Sequence, residues 1–265
     1  MRTTLYFLVF IFICSSWAHA QSKKVIISTN FGDIKVMLYD DTPKHREAFL
    51  KLAKEGHYDG TLFYRVVKNF VIQGGSSDSK NAPAGKHIGY GSSKLTIDSE
   101  FTEKRFHKKG AICAPRQPEE INHFKLSDIS QFYIVQGKVY KNEELDLLEK
   151  ATNNPIKIKL KKKYYVPYKE ELQKLKTENP KEFNRRLREI KQKIAVDYAL
   201  SRKLEFTEEQ RNVYTTIGGL PELDADYTVF GEVISGYDVM KKIAALETDK
   251  NSRPYKDVKL VVRIL

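Results

Sequence analysis

The stretch from Phe63 to Gly75 reads FYRVVKNFVIQGG. It sets one cation, Arg65, and one amide, Gln73, in an otherwise apolar run, on either side of a Lys68-Asn69 turn signal. A guanidinium is permanently charged, planar and rich in donors. A glutamine carbonyl can accept from it and fix its aim. Such a pair acts by holding a hydrogen-bond donor still, without a nucleophile or a metal. Taken alone, an arginine in a strand is more commonly a surface charge, so the pair gains meaning only from what surrounds it. Other reactive side chains offer less. Cys113 lies in the strand-like run GAIC and reads as a small buried hydrophobe, since nothing near it is arranged as a base. The six histidines show no zinc-ligand spacing. The Gly pairs at 74–75 and 218–219 lack a phosphate-loop pattern.

The elements that must position Arg65 and Gln73 are short strands. KVIISTN and DIKVMLYD form a hairpin through Asn30-Phe31-Gly32. Thr42-Pro43 starts a helix on which Ala48, Phe49, Leu52 and Ala53 recur at helical spacing, and Gly56 ends it. Residues 76–99, rich in Ser, Gly, Lys and Asn, read as a long loop. Further apolar runs follow at Gly110–Ala114 and Gln131–Val135. YTVFGEV is a strand, Asp238–Leu246 a short helix and Val258–Leu265 a last strand. Many short strands with two helices predict a mainly β protein, a closed antiparallel barrel capped at its ends.

Residues 138–212 depart from that pattern. Between 138 and 211 the chain carries 20 Lys and Arg against 13 Asp and Glu, so much of the +12 formal charge sits here. Asn179-Pro180-Lys181-Glu182 supplies an N-cap, a first-turn Pro and a capping Glu. Phe183, Leu187, Ile190, Ile194 and Tyr198 then mark an amphipathic helix to about Leu204, and Tyr168, Leu172 and Leu175 a shorter one before it. A helical hairpin is expected. IKIKLKKK, Ile156 to Lys163, alternates at strand period. At the other end, Arg2 precedes the apolar run Leu5–Ile13 and the small-x-small site Ala18-His19-Ala20. That run is far shorter than the roughly 20 residues a membrane span needs, so residues 1–20 read as a cleaved signal peptide. Ile13 before Cys14 fits a lipid-attachment site poorly. The mature chain, from about Gln21, keeps one cysteine and can form no internal disulfide.

Three blocks now carry a resemblance. FYRVVKNFVIQGG, SQFYIV at Ser130–Val135, and LDADYTVFGEVISG from Leu223 resemble, in order, the signatures of the cyclophilins, the prolyl isomerase family. The resemblance covers Lys24 to about Gln136 and about Val213 to Leu265, which sets the barrel at 21–137 and 213–265, and it does not cover the inserted basic segment 138–212. It implies an eight-stranded barrel with two capping helices and an outer-face groove, here in an exported bacterial member. Residue by residue, it implies that Arg65 is the catalytic arginine, that Gln73 orients it and contacts substrate, and that Phe70 floors the proline pocket. Val71 stands where methionine is common. Pro115, Arg116 and Gln117 take the substrate-backbone strand, with Pro115 removing an amide donor. Gln131 is expected in the groove, and Tyr133 in place of a pocket phenylalanine. Leu223 is expected as a pocket leucine, and Tyr227 at the rim. Ile129 replaces a usual glycine, and Glu222 replaces a tryptophan associated with cyclosporin, which implies weak binding of that drug.

The implied reaction is cis-trans isomerisation of X–Pro bonds in unfolded or nascent exported polypeptides, with no cofactor. The amide barrier is roughly 18–20 kcal/mol, and Arg65 would stabilise the twisted amide while an apolar pocket holds the proline ring. The insertion leaves and rejoins the barrel between Tyr133 and Leu223, so an arm beside the groove, gripping unfolded clients, is expected. The competing reading is a non-catalytic proline-peptide module or holdase. Export argues against nucleic acid as the partner of the basic segment and leaves weak contact with anionic membrane surfaces. A periplasmic or secreted monomer is expected.

Overall fold

Period-two alternation builds the first hairpin, β1 (Lys24–Thr29) and β2 (Gly32–Leu38). Val25, Ile27, Ile34, Val36 and Leu38 point from it into the core. The structure, a computed structural model, describes residues 23–91 and 95–265. The signal-peptide reading of residues 1–20 lies outside the described residues. Eight further strands follow: β3 (Thr61–Val66), β4 (Val71–Gly74), β5 (Thr96–Ile97), β6 (Ala111–Cys113), β7 (Ser127–Asp128), β8 (Phe132–Val135), β9 (Val229–Ser235) and β10 (Lys259–Ile264). All but β5 and β7, which pair with each other, close into a barrel in the order β1-β10-β3-β4-β8-β6-β9-β2. Each neighbouring pair is antiparallel. The eight-stranded barrel expected from the sequence is the one observed.

The α-helices of the described residues are α1 (Pro43–Lys54), α2 (Asn142–Tyr164), α3 (Lys169–Glu178), α4 (Pro180–Leu200), α5 (Glu208–Thr216) and α6 (Tyr237–Ala244). Helix α1 buries Phe49, Leu52 and Ala53 in the barrel core, where the Phe49 ring meets those of Tyr58, Phe132 and Phe230 at 5.0–5.6 Å. Truncating a ring so placed costs about 3–5 kcal/mol. Helix α6 brings Val239, Met240 and Ile243 to the same core. Outside the barrel wall lies a second apolar layer, with Val71, Ala111, Cys113, Tyr133, Val135 and Val229 at its centre. The candidate site is built on this layer.

The insertion is larger than a helical hairpin: it holds α2 to α5. The run Ile156–Lys163 is helix, not strand. Two of the three apolar residues that suggested alternation, Ile156 and Leu160, join Leu145, Asn153 and Tyr164 on a buried or half-buried face at helical spacing, while Ile158 stays exposed. Helix α2 continues through Pro155 on an exposed side. In α4 the stripe Phe183, Leu187, Ile190, Ile194 and Tyr198 is buried or half-buried as expected. Asn179 caps it by accepting from the Glu182 N–H, and the helix stops at Leu200 rather than Leu204. Asn153 closes the return by pairing both ways with the Leu204 backbone, at 2.8 and 2.9 Å. The insertion's ends meet where Lys138 and Gly219 exchange backbone hydrogen bonds of 2.9 and 3.2 Å. The Gly218-Gly219 pair serves this crossing. A Cβ on Gly218 would lie 2.4 Å from the Lys138 carbonyl oxygen, and one on Gly219 2.2 Å from that of His107.

Candidate active site

The hairpin of β3 and β4 turns at Val67–Phe70, with Asn69 at φ 58°. Asparagine tolerates this left-handed conformation better than most side chains. Strand alternation alone would put Arg65 and Phe63 on one face. A β-bulge between Phe63 and Arg65 changes that. Phe63 and Val66 both enter the core, and Tyr64 and Arg65 both project outward. The bulge is what aims the arginine into the groove. Across the ladder Arg65 pairs with Gln73 and Ile72 with Val66, so Gln73 also faces out while Ile72 fills the barrel.

These side chains border a cavity of about 210 Å³, lined by Arg65, Phe70, Val71, Gln73, Pro115, Arg116, Tyr133, Leu223 and Tyr227. Four segments far apart in sequence supply it, and nine of the residues singled out from the sequence meet here. The Arg65 guanidinium carbon stands 5.5 Å from the Phe70 ring centre. The Tyr133 and Tyr227 rings meet edge to face at 6.1 Å. Arg116 covers Tyr227 at 4.9 Å and donates through Nε to the Asp226 carbonyl at 2.8 Å, which fixes the rim. The Pro115 carbonyl accepts the Asp128 N–H. Cys113, paired in register with Tyr133, is fully buried, and burial pushes its thiol well above the ordinary range. Full burial and a protonated thiol both argue against a nucleophilic role.

Two expected groove residues sit elsewhere. Gln117 is exposed and outside the cavity lining. Gln131 is buried behind the groove, at 4 % exposure, rather than in its wall. The reason is its set of partners: its amide donates to Asp128 at 3.0 Å and its carbonyl accepts from the Tyr64 hydroxyl. Gln73 in turn donates to that hydroxyl at 2.6 Å. Among the described residues no side-chain hydrogen bond joins Gln73 to Arg65, contrary to the expected orienting contact. Ile129, in place of a glycine, leaves the loop ordered: its side chain enters the barrel core, and its carbonyl accepts from the Tyr58 hydroxyl at 2.8 Å. Glu222, where the resemblance implies a tryptophan, accepts from the hydroxyl of Tyr140 at the start of the insertion.

Sequence reasoning missed Tyr64, whose parity in the strand placed it opposite Arg65. It also missed His107, which precedes GAIC without a local partner and meets Asp224, distant in sequence, at 2.8 Å.

Comparison with known proteins follows the same line. The family model described as cyclophilin type peptidyl-prolyl cis-trans isomerase/CLD matches residues 24–153 and 154–263. A Streptococcus pyogenes serotype M6 protein, assigned as a bifunctional phosphatase/peptidyl-prolyl cis-trans isomerase, is 30% identical over 239 residues. That match takes in 89% of this chain and only 37% of the relative's length. A Staphylococcus aureus protein assigned as a peptidyl-prolyl cis-trans isomerase is 28% identical over 237 residues, 89% of this chain and 87% of its own. Among solved structures, a cyclophilin-type isomerase of Cryptosporidium parvum superposes with a TM-score of 0.53 at 18% identity, covering 92% of this chain and 98% of that one. At that identity the likeness concerns the fold.

Proposed function

We propose that this chain, which belongs to the cyclophilin-type peptidyl-prolyl cis-trans isomerase family and is an enzyme of that class, isomerises X–Pro bonds through Arg65. The supporting observation is the placement of a bulge-directed guanidinium at an apolar cavity of about 210 Å³. The barrier to rotation, roughly 18–20 kcal/mol, is amide resonance. Rotation needs the prolyl nitrogen to pyramidalise and its lone pair to leave conjugation. A fixed donor near that nitrogen favours the twisted state, and more so in a partly dry site. Phe70, Val71, Tyr133, Leu223 and Tyr227 hold the pyrrolidine ring while the preceding carbonyl swings. The Arg116 backbone N–H and C=O offer the peptide an edge.

The substrates we assign are proline-containing unfolded polypeptides exported with the enzyme, the leader at residues 1–20 directing its export. Exposed apolar side chains on the insertion, among them Leu147 at 63% and Leu200 at 81%, favour an added client-holding role. The deciding experiment is a prolyl-isomerisation assay on a proline tetrapeptide with the wild type and Arg65→Ala. An inactive wild type would overturn the reading of the cavity, and a fully active Arg65→Ala would overturn the mechanism.

A further inference from the structure

Behind the proline pocket, four side chains form one hydrogen-bonded chain. The Tyr133 hydroxyl lies 3.0 Å from His107 Nε2. His107 Nδ1 lies 2.8 Å from Asp224 Oδ1, which also accepts the His107 backbone N–H at 2.8 Å. The other oxygen, Asp224 Oδ2, accepts from the Tyr214 hydroxyl at 2.6 Å. A carboxylate only accepts, so Nδ1 carries a hydrogen, and in the Nδ1–H tautomer Nε2 accepts from the Tyr133 hydroxyl. Every link is then satisfied. His107 and Tyr214 are fully buried, and the Asp224 side chain is 9% exposed. Burial and the Asp224 charge both hold the Tyr214 hydroxyl protonated, as this arrangement requires.

The two ends of the chain belong to different parts of the molecule. Tyr133 is a wall of the proline pocket, and Asp224 directly follows Leu223, another wall. His107 also stacks on Tyr133 at 6.2 Å and meets the rim ring Tyr227 edge-on at 6.5 Å. Tyr214 lies on α5, the last helix of the insertion, where Phe106, Leu145 and Phe206 enclose it. A phenylalanine at 133 would fill the pocket equally well, so the hydroxyl serves the connection and not the pocket volume.

We propose that His107 is a positioning residue which, with Asp224, transmits the seating of α5 to Tyr133 and Leu223, so that the insertion sets the shape of the proline pocket. This rests on the cavity being the proline site. A purely architectural network would change stability and leave catalysis by the folded enzyme alone. A double-mutant cycle separates the two. The full chain and its Tyr214→Phe, Tyr133→Phe and doubly substituted forms are assayed on a proline tetrapeptide, well below their unfolding midpoints. Tyr214→Phe should lower kcat/KM about 3- to 10-fold, chiefly through KM, and should have less than about a 1.5-fold effect once Tyr133 is phenylalanine. The Tyr133 ring resonances should shift in Tyr214→Phe while those of Tyr58, in the barrel core, stay in place, a readout that needs neither activity nor the double variant. An unchanged KM with unmoved Tyr133 resonances, or fully additive losses, would overturn the proposal. Absence of catalysis by the wild type would instead overturn the reading of the cavity, and the resonances would still decide the connection.

Discussion

Gln73 donates to the Tyr64 hydroxyl across 2.6 Å, and this contact, not one with Arg65, fixes its amide. The hydroxyl passes its own hydrogen to Gln131, whose amide is held by Asp128. The chain runs from a buried carboxylate to Gln73 at the edge of the cavity. Tyr64→Phe removes the middle of that chain without changing the ring. A net hydrogen bond contributes about 0.5–1.5 kcal/mol, so kcat/KM on a tetrapeptide should fall roughly 2- to 10-fold with the fold intact. Unchanged kinetics would show that Gln73 needs no such support.

Arg65 is asked to act as a planar fork of donors rather than as a charge. Arg65→Lys keeps the charge and loses the fork. Removing one preorganised transition-state donor costs roughly 10²–10³ in kcat, and Arg65→Lys should recover less than about a tenth of that loss. Full recovery in the tetrapeptide assay would mean that charge alone suffices.

Arg65, Phe70 and Gln73 were legible because a single hairpin carries them in a fixed order, and the barrel was legible because its first hairpin alternates and its other strands stand out as short apolar runs. What escaped was depth and distance. Nothing in the local pattern distinguishes a glutamine lining a groove from one buried behind it, so Gln131 was placed one layer too far out. The bulge that lets Arg65 face outward beside Tyr64 depends on how β3 pairs with β4, which period-two reading ignores. Ile156, Ile158 and Leu160 imitate a strand over too short a window to reveal the helical face that Ile156 and Leu160, without Ile158, share with Leu145 and Asn153. His107, Asp224 and Tyr214 become partners only when the barrel and the insertion close on each other, and none signals the others in sequence.

His45 gives a pH dependence of known sign. It is fully buried in the first turn of α1, stacked on Phe230 at 5.9 Å, with Nδ1 2.7 Å from Glu100 and no partner for Nε2 among the described residues. Burial lowers its pKa below 6.5, outweighing the Glu100 hydrogen bond, which raises it. Between the folded and unfolded values the unfolded chain binds more protons, so stability rises with pH there and is lost as pH falls from about 6.5. The unfolding midpoint of the wild type, relative to His45→Asn, should therefore decline between about pH 7.5 and about pH 5.5. A constant difference across that range would refute the assignment.

The insertion's outer surface makes a separate prediction about clients. Ile158, Val196 and Leu200 are 48%, 51% and 81% exposed, on helices that otherwise present mostly charge to solvent. Substituting exposed residues away from caps and buried partners usually changes stability by no more than about 0.5 kcal/mol, so changing all three to serine should leave the fold intact. A tetrapeptide is short enough to be held by the pocket alone, whereas an unfolded protein is long enough to engage the insertion as well. The triple variant should therefore catalyse tetrapeptide isomerisation at the wild-type rate. Its acceleration of a proline-limited refolding reaction should fall severalfold, mainly through a higher KM. An equal loss on both substrates would place these residues in the fold's support, and no loss on either would make the arm a solvated decoration with no hold on clients.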